Sequence, residues 1–290
     1  MNGIIIIDKP EGFTSHDIVA KLRRICATRR IGHSGTLDPM ATGVLPIFAG
    51  RATRACEFAV SDEKEYVARL LLGTVTDSQD VTGNVLSRFP VNVSAQRVAE
   101  VCASFVGEIE QIPPMYSAVK VNGTRLYQLA RQGVEVERKA RKITIHSIDV
   151  TPVSEIRYDL TVRCSKGTYI RTLCHDIGAA LGCGGTLETL RRTKSGAFDL
   201  SMSHTLEQVA ENPEACISPV DTMFFKYPAL IIDRDGVKKC KNGAPVPYPA
   251  QVGKMYRVYD CDGSFLMLAQ GEMGSDGAFL KTVKSFFEVE

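Results

Sequence analysis

The chain carries the stretch G-H-S-G-T-L-D-P-M-A-T-G-V-L-P-I at residues 32–47. Its three glycines and two prolines predict a fixed, irregular loop. Asp38 lies in this loop before a proline, which favours extended backbone at that position. It is the only acidic residue of a span that holds seven cations: Lys21, Arg23, Arg24, Arg29, Arg30, Arg51 and Arg54. A lone carboxylate on a rigid loop among cations is a candidate functional group.

Other interpretations of this loop are available from the local sequence. Asp before Pro commonly opens a turn, and this role for Asp38 remains open at this stage. A phosphate-binding loop is disfavoured, because no Gly-Lys-Ser/Thr ending follows and the carboxylate would repel phosphate. A serine hydrolase built on His33 and Ser34 is disfavoured, because sequence neighbours rarely face each other and no G-x-S-x-G elbow is present.

The whole chain has the composition of an ordinary globular protein. Its 290 residues are 44% apolar and 23% charged, which suffices for one large domain and a small one. No apolar run approaches membrane-spanning length, and the start lacks a signal peptide pattern, so we expect a cytoplasmic protein without membrane contact. The nine cysteines and five histidines are scattered without ligand spacing, which predicts reduced thiols and no metal site.

Hydrophobic periodicity predicts a mixed α/β domain. Residues 4–7 are a β-branched run typical of a buried strand, and strand alternation recurs at 64–72 and 154–164. Thr14 and Asp17 form a capping-box pattern before a helical stripe. Another helical stripe begins at residue 170 and places Arg171 in its first turn. An exposed cation is unfavourable at that position, so we expect Arg171 to have an anionic partner.

Two further regions have a distinct character. Residues 120–142 hold seven cations against Glu135 and Glu137, and this second basic cluster favours a polyanionic partner. From about residue 227, short β-like runs alternate with turns such as Asp235-Gly236 and Asn242-Gly243. That texture predicts a small all-β module at the C-terminus.

The loop at 32–47 closely resembles the signature of the TruB family of tRNA pseudouridine synthases. The resemblance continues in family order through about residue 195. Its other segments are Asp8-Lys9-Pro10, Lys64-Glu65-Tyr66, Gln111-Ile112-Pro113-Pro114-Met115-Tyr116-Ser117-Ala118, Ser165-Lys166-Gly167-Thr168-Tyr169-Ile170-Arg171 and Leu190-Arg191-Arg192. The tail is similar to a PUA domain, a small RNA-binding β-barrel, although its motifs are weaker.

The resemblance implies an α/β pseudouridine synthase fold around a long antiparallel sheet. The catalytic domain would span residues 1–226, with a basic RNA-gripping insertion at about 116–142, and a PUA-like β-barrel would span 227–290. The implied reaction converts uridine-55 of the tRNA T loop to pseudouridine without any cofactor. The implied partner is tRNA, which would be bound by its T arm. One version of this expectation adds a contact between the acceptor end of the tRNA and the C-terminal domain. No obligate protein partner is evident.

The resemblance also implies roles for individual residues. Asp38 would be the nucleophile and Arg171 its ion-pair partner, and Tyr66 would lie against the target base. The other implied substrate-binding residues are His33, which helps hold the flipped-out conformation, Leu190, which forms a wall of the pocket, and Tyr169. Lys9, Lys120, Arg131 and Arg141 are candidate phosphate contacts, and surface lysine remains the alternative for Lys9 and Lys120.

Two alternatives from other functional classes can be stated. A non-catalytic RNA-binding or tRNA-folding protein could keep the scaffold, but binding alone does not require a buried nucleophile. A glycosidase-like hydrolase would need a second carboxylate near Asp38, for which Asp80 and Asp176 are the candidates. The reaction itself requires base flipping, glycosidic bond cleavage and reattachment at C5, and it requires an ionised Asp38, which a nearby Arg171 favours.

Overall fold

A computed structural model of the chain describes residues 1–59, 63–121 and 123–287. Its first part is built on one large sheet with helices packed against it. In chain order the elements are β1 (Gly3–Lys9), α1 (Ser15–Ile25), β2 (Ile31–His33), β3 (Thr42–Ala49), α2 (Cys56–Ala59), β4 (Lys64–Leu72), β5 (Thr74–Thr76), β6 (Val85–Arg88), α3 (Ala95–Ser104), β7 (Gly107–Gln111), β8 (Lys120–Val121), β9 (Thr124–Arg125), α4 (Leu126–Arg131), β10 (Arg141–Pro152), β11 (Arg157–Cys164), α5 (Ile170–Ala180), β12 (Gly185–Ser195), β13 (Phe198–Asp199) and α6 (Leu206–Glu211).

The described residues form a nine-stranded sheet in the order β1-β3-β12-β4-β11-β10-β7, with β2 attached to β3 and β13 to β12. Its pairings are antiparallel except for β3 and β12, which run parallel where Arg192 lies opposite Gly43. The prediction of an α/β fold around a long antiparallel sheet is confirmed. The parallel contact brings the end of the loop at residues 32–47 beside β12.

Local sequence signals explain the first elements. The isoleucines of β1 are buried on both faces of the sheet, as expected for a continuous β-branched run. Thr14 caps α1, and both hydrogen bonds of the capping box with Asp17 are present. The alternation predicted at 64–72 appears in β4, where buried and half-buried residues alternate from Tyr66 onward.

Helix α5 lies unusually close to the start of β12. A Cβ atom at Gly178 would approach the Gly185 nitrogen to 2.1 Å, and one at Gly185 would approach the Cys174 carbonyl oxygen to 2.7 Å. Glycine at both positions therefore permits backbone contact between helix and strand. This contact fixes the helix that carries Arg171 against the central part of the sheet.

The C-terminal part forms a second, smaller sheet. It contains β14 (Ala229–Ile231), α7 (Arg234–Lys241), β15 (Val246–Pro247), β16 (Met255–Tyr259), β17 (Phe265–Gly274) and β18 (Gly277–Ser285). The strand order is β14-β16-β17-β18-β15, a five-stranded half-barrel over its own apolar core. The predicted small β-domain of PUA-like character is thus confirmed, while residues 288–290 of the predicted range lie outside the described residues.

A shared apolar cluster joins the two sheets. It includes side chains of β1 and β3 together with apolar residues from both parts of the chain. Its members include Ile4, Ile6, Val44, Phe48, Phe198, Phe224, Leu268 and Phe286. Arg54 adds hydrogen bonds to the carbonyl and hydroxyl oxygens of Ser285. The domain limit at residue 226 stays a prediction, and the packing continues across it. No helix among the described residues is long and apolar enough to cross a membrane.

Candidate active site

The loop between β2 and β3 is held in place by the start of α1. Ser15 Oγ accepts a hydrogen bond from the Leu37 amide at 2.9 Å and lies 3.2 Å from the Leu37 carbonyl oxygen, to which it donates. Ser15 and Leu37 are both buried. Gly35 has φ of +70°, a conformation that glycine adopts at little cost. The loop thereby presents Asp38 from a fixed backbone.

Arg171 forms a two-pronged ion pair with Asp38. Its Nε lies 3.1 Å from Oδ2 of the carboxylate, and its Nη2 lies 3.3 Å from Oδ1. The Arg171 side chain is 6% exposed, whereas that of Asp38 is 38% exposed. The guanidinium is thus enclosed by protein and the carboxylate faces the open side. The anionic partner expected for Arg171 is found.

Asp80 holds the other end of the same guanidinium. Its Oδ2 lies 3.2 Å from Arg171 Nη1, which also donates to the Ser78 carbonyl oxygen at 3.2 Å. Its Oδ1 accepts hydrogen bonds from the Ser78 hydroxyl and from the amide and hydroxyl of Thr82. The Asp80 side chain is 5% exposed. It therefore serves as a buried support for Arg171.

The surroundings of Asp38 set its protonation. Burial raises the pKa of the Asp38 carboxyl, and the charge of Asp80 acts in the same direction. Arg171 and Lys9 oppose that rise with their positive charges. Since Arg171 contacts both oxygens and the carboxylate is partly exposed to solvent, we expect Asp38 to be ionised at neutral pH.

Tyr66 and Arg192 lie opposite each other on β4 and β12, at the centre of the sheet. Tyr66 is 7% exposed, and the positive charge of Arg192 acts to lower the pKa of its hydroxyl, against the larger effect of burial. Burial raises the pKa of that hydroxyl, so it stays protonated. Arg192 is fully buried and donates to the carbonyl oxygens of Gly35 and Val44, both at 2.8 Å. It therefore ties the sheet to the loop that carries Asp38.

The other predicted pocket residues lie on neighbouring elements. Leu190 is a buried residue of β12 opposite Ala68 of β4. Tyr169 is half-buried at the N-terminal boundary of α5. His33 ends β2, and its Nδ1 is buried without a hydrogen-bond partner among the described residues. Burial, assisted by His16 and Arg192, lowers the pKa of His33, which favours the neutral imidazole. The roles assigned to these residues stay predictions.

Lys9 does not lie where a phosphate contact requires it. The side chain has no exposed surface, and its Nζ donates to the carbonyl oxygens of Pro10, Phe13 and Pro39 at 2.9, 2.7 and 3.2 Å. Burial lowers the pKa of Lys9 to about 8, against the opposing charge of Asp38. A lysine beside proline and glycine looks exposed in sequence, but here its ammonium braces the loop from inside. We do not carry Lys9 into the proposed RNA interface.

Lys120, Arg131 and Arg141 lie on the protein surface. Arg131 packs against the ring of Tyr127, with 5.5 Å between its Cζ and the ring centroid. These three cations form no ion pairs within the part of the chain that the structure describes. They are exposed, and their role as phosphate contacts stays a prediction.

Sequence reasoning missed part of the network around Arg171. Asp80 was considered only as a second catalytic carboxylate, although the structure uses it to hold the guanidinium. The carbonyl of Tyr116 also accepts from Arg171 Nη2 at 2.7 Å, and Gln111 binds the backbone of Tyr169. Gln111 and Tyr116 lie in the same matched segment, 111–118, and that shared segment was the only indication in the sequence that they belong to the site. In the described ranges no three His, Cys, Asp or Glu residues are grouped as a metal site.

Known structures share this architecture over nearly the whole chain. One, described as "Structure of H/ACA RNP bound to a substrate RNA containing 2'-deoxyuridine", has a TM-score of 0.74 and 26% identity, covering 99% of this chain and 85% of that one. Another, "Crystal Structure of a Cbf5-Nop10-Gar1 Complex", has a TM-score of 0.74 and 28% identity, covering 98% and 85%. Together with the Asp38 loop, this fold defines a pseudouridine synthase, an isomerase.

Sequence comparisons narrow this class. The model of the TruB family pseudouridylate synthase N-terminal domain matches residues 23–170, and that of the tRNA pseudouridylate synthase B C-terminal domain matches residues 171–224. The tRNA pseudouridine synthase B of Clostridium kluyveri is 45% identical, covering 99% of this chain and 100% of the relative. That of Syntrophotalea carbinolica is 47% identical, covering 84% and 82%. The chain belongs to the TruB family, and its activity is the isomerisation of uridine in tRNA to pseudouridine.

Proposed function

We propose that the chain isomerises uridine-55 in the T loop of tRNA, with Asp38 as the catalytic carboxylate. The observation that carries this proposal is the ion pair between Asp38 and the enclosed guanidinium of Arg171. The carboxylate is fixed, partly open to solvent and paired to a cation that favours its ionised form. These are the properties that a nucleophile or a base at this site requires.

Asp38 can begin the reaction by three routes. The carboxylate can attack C1′ of the sugar, attack C6 of the uracil, or remove a proton from the 2′ position. Each route breaks the glycosidic C–N bond, holds the base while it turns, and joins C5 to the sugar. Each also needs an ionised carboxylate at the start, so Arg171 supports all three routes equally.

The target uridine has to leave its stack before Asp38 can reach it. Tyr66 offers an aromatic ring in the centre of the sheet, and Leu190 lies on the adjacent strand. An aromatic face and an apolar wall suit a base that has been flipped out of an RNA loop. We assign Tyr66, Leu190, Tyr169 and His33 to this pocket on that ground.

Phosphate contacts supply most of the affinity in this proposal. Lys120, Arg131 and Arg141 are exposed cations of the basic insertion and would bind the T arm. The C-terminal half-barrel would contribute through the acceptor end, and the cations of α7, Lys238, Lys239 and Lys241, are available there. Because the half-barrel shares an apolar cluster with the catalytic sheet, both surfaces belong to one body.

Asp80 does not supply the second carboxylate that the hydrolase alternative needs. Asp80 lies near Asp38 but is 5% exposed and fully engaged by Arg171, Ser78 and Thr82. A glycosidase needs two carboxylates that face the substrate from opposite sides. The RNA-binding alternative leaves the ion pair at Asp38 without a purpose.

The decisive experiment measures tritium release from C5-labelled uridine in a tRNA transcript. We expect the unmodified protein to release tritium, and Asp38→Asn to release none while binding tRNA within about tenfold of the same affinity. A transcript that lacks the T-loop uridine should release nothing. Tight binding without release by either protein would support the RNA-binding alternative, and free uracil as product would support a hydrolase.

A further inference from the structure

The side chain of Gln111 binds both backbone groups of Tyr169. Its Nε2 donates to the Tyr169 carbonyl at 3.0 Å, and its Oε1 accepts from the Tyr169 amide at 2.8 Å. The side chain is buried, with 3% of the residue exposed. An amide that pairs with the N–H and the C=O of one residue fixes the position and the orientation of that backbone.

Tyr169 is the point from which the helix of Arg171 begins. It is the N-cap residue of α5, and its own side chain makes no capping hydrogen bond. Helix ends without caps leave backbone groups in need of external partners. Gln111 supplies that partner from β7. It binds the backbone of Tyr169, which lies two residues before Arg171.

The segment that follows Gln111 reaches the guanidinium directly. The Tyr116 carbonyl accepts from Arg171 Nη2 at 2.7 Å. The backbone of Gln111 also pairs with Arg141 in the sheet, so both ends of the basic insertion meet at this residue. One short stretch thus contacts the start of α5, the Arg171 side chain and the root of the insertion.

We propose that Gln111 is a positioning residue for the isomerisation. Its paired hydrogen bonds to Tyr169 set the first turn of α5, so that Arg171 meets both oxygens of Asp38. Gln111 acts through the helix and does not take part in the chemistry. The proposal rests on the proposed role of Arg171 beside Asp38.

The test compares two variants at Gln111 with one control. Gln111→Met keeps the volume of the side chain and removes both hydrogen bonds. Gln111→Glu keeps the acceptor for the Tyr169 amide, loses the donor and adds a charge. Gln96→Glu adds the same charge at an exposed position on α3, outside the basic insertion, and serves as the control.

We expect Gln111→Met to lower the single-turnover rate at saturating tRNA between about tenfold and a hundredfold, since small displacements at a reacting centre have effects of that order. The dissociation constant for tRNA should stay within about threefold, and Gln96→Glu should keep the unmodified rate. An unchanged rate in Gln111→Met, or a loss of rate matched by an equal loss of affinity, would overturn the proposal. Should Gln111→Met not fold, Gln111→Glu provides the same comparison.

A double-variant cycle with Arg171→Lys separates this proposal from the proposed function. If Gln111 acts through Arg171, Gln111→Met should cause little further loss in the Arg171→Lys background, so the two effects are not additive. Full additivity would overturn the positioning role. If Arg171→Lys alone keeps the unmodified rate, the role proposed for Arg171 fails instead.

Discussion

Asp80 binds the Nη1 end of the Arg171 guanidinium at 3.2 Å, on the side away from Asp38. Both partners are almost completely buried. The guanidinium is therefore positioned by a second charge that has no access to substrate. Buried charges that are paired and hydrogen-bonded on all sides are held more rigidly than exposed ones.

Asp80→Asn should alter the pH dependence of the reaction in a defined direction. The negative charge of Asp80 raises the pKa of Asp38, so its removal lowers that pKa. The acid limb of the single-turnover rate should move to lower pH, because Asp38 then stays ionised further into the acid range. The amide oxygen of the variant side chain can still accept a hydrogen bond from Nη1, so Arg171 stays beside Asp38 and the rate at pH 7 should fall by no more than about tenfold.

Asp77→Asn is the matched control for that variant. Asp77 lies in the same turn and accepts hydrogen bonds from Asn84 rather than from Arg171. It should leave the acid limb in place. An Asp80→Asn profile that moves to higher pH would contradict the arrangement described here.

The affinity for tRNA should fall steeply with salt concentration. Each phosphate contact contributes about 0.7 to 0.9 to the slope of log affinity against log salt. Replacing Lys120, Arg131 and Arg141 together by Gln should reduce that slope by about two units in filter-binding titrations. Arg97→Gln removes a cation already paired with Glu100 and should change the slope far less. An unaltered slope in the triple variant would exclude these cations from the interface.

Gly43→Ala should strongly destabilise the protein. Gly43 has φ of +100°, and a Cβ there would lie 2.2 Å from the Arg192 carbonyl oxygen. Strain and collision act together, so we expect a loss of more than about 3 kcal/mol in urea denaturation. Gly243 has φ of +73°, but the space around a Cβ at this position is open. Gly243→Ala should therefore lower the free energy of unfolding by only about 1–2 kcal/mol. Equal losses of stability in the two variants would show that the backbone moves to relieve the collision between the new Cβ and the Arg192 carbonyl oxygen.

Phe224→Ala tests whether the two sheets unfold together. Phe224 is buried and packs against Phe58, Phe265 and Phe286 from both sides of the predicted domain limit. We expect a single unfolding transition, with a free energy of unfolding that is lower by about 3–5 kcal/mol. Phe225→Ala removes an exposed neighbouring ring and should lower it by less than about 1 kcal/mol. Two separate transitions in Phe224→Ala would mean that the sheets are independent.

The elements with local signals were predictable from sequence. The capping box at Thr14, the buried strand β1 and the alternation of β4 each depend on neighbours a few residues away. The loop at residues 32–47 and Arg171 were identified through matched segments. What those segments did not show is which groups meet in space, and for that reason the support of Arg171 by Asp80 was missed.

Two kinds of contact leave little trace in a single sequence. The Tyr116 carbonyl that binds Arg171 is a backbone group, which any residue type could supply. The pair formed by Gln111 and Tyr169 joins positions that are distant in the chain and depends on how β7 meets α5. Lys9 shows the reverse case, because its burial depends on a loop that folds over it from thirty residues away.

The guanidinium of Arg171 enters the reaction already saturated. Its five N–H donors are directed at Asp38, Asp80 and the carbonyl oxygens of Ser78 and Tyr116. An incoming uridine therefore gains a contact with this cation only by exchange, and the carboxylate of Asp38 is the one side chain among these partners with substantial exposure. The guanidinium can therefore serve Asp38 or an incoming group at any one time, and a substrate contact with Arg171 would have to replace a contact that holds Asp38 in place.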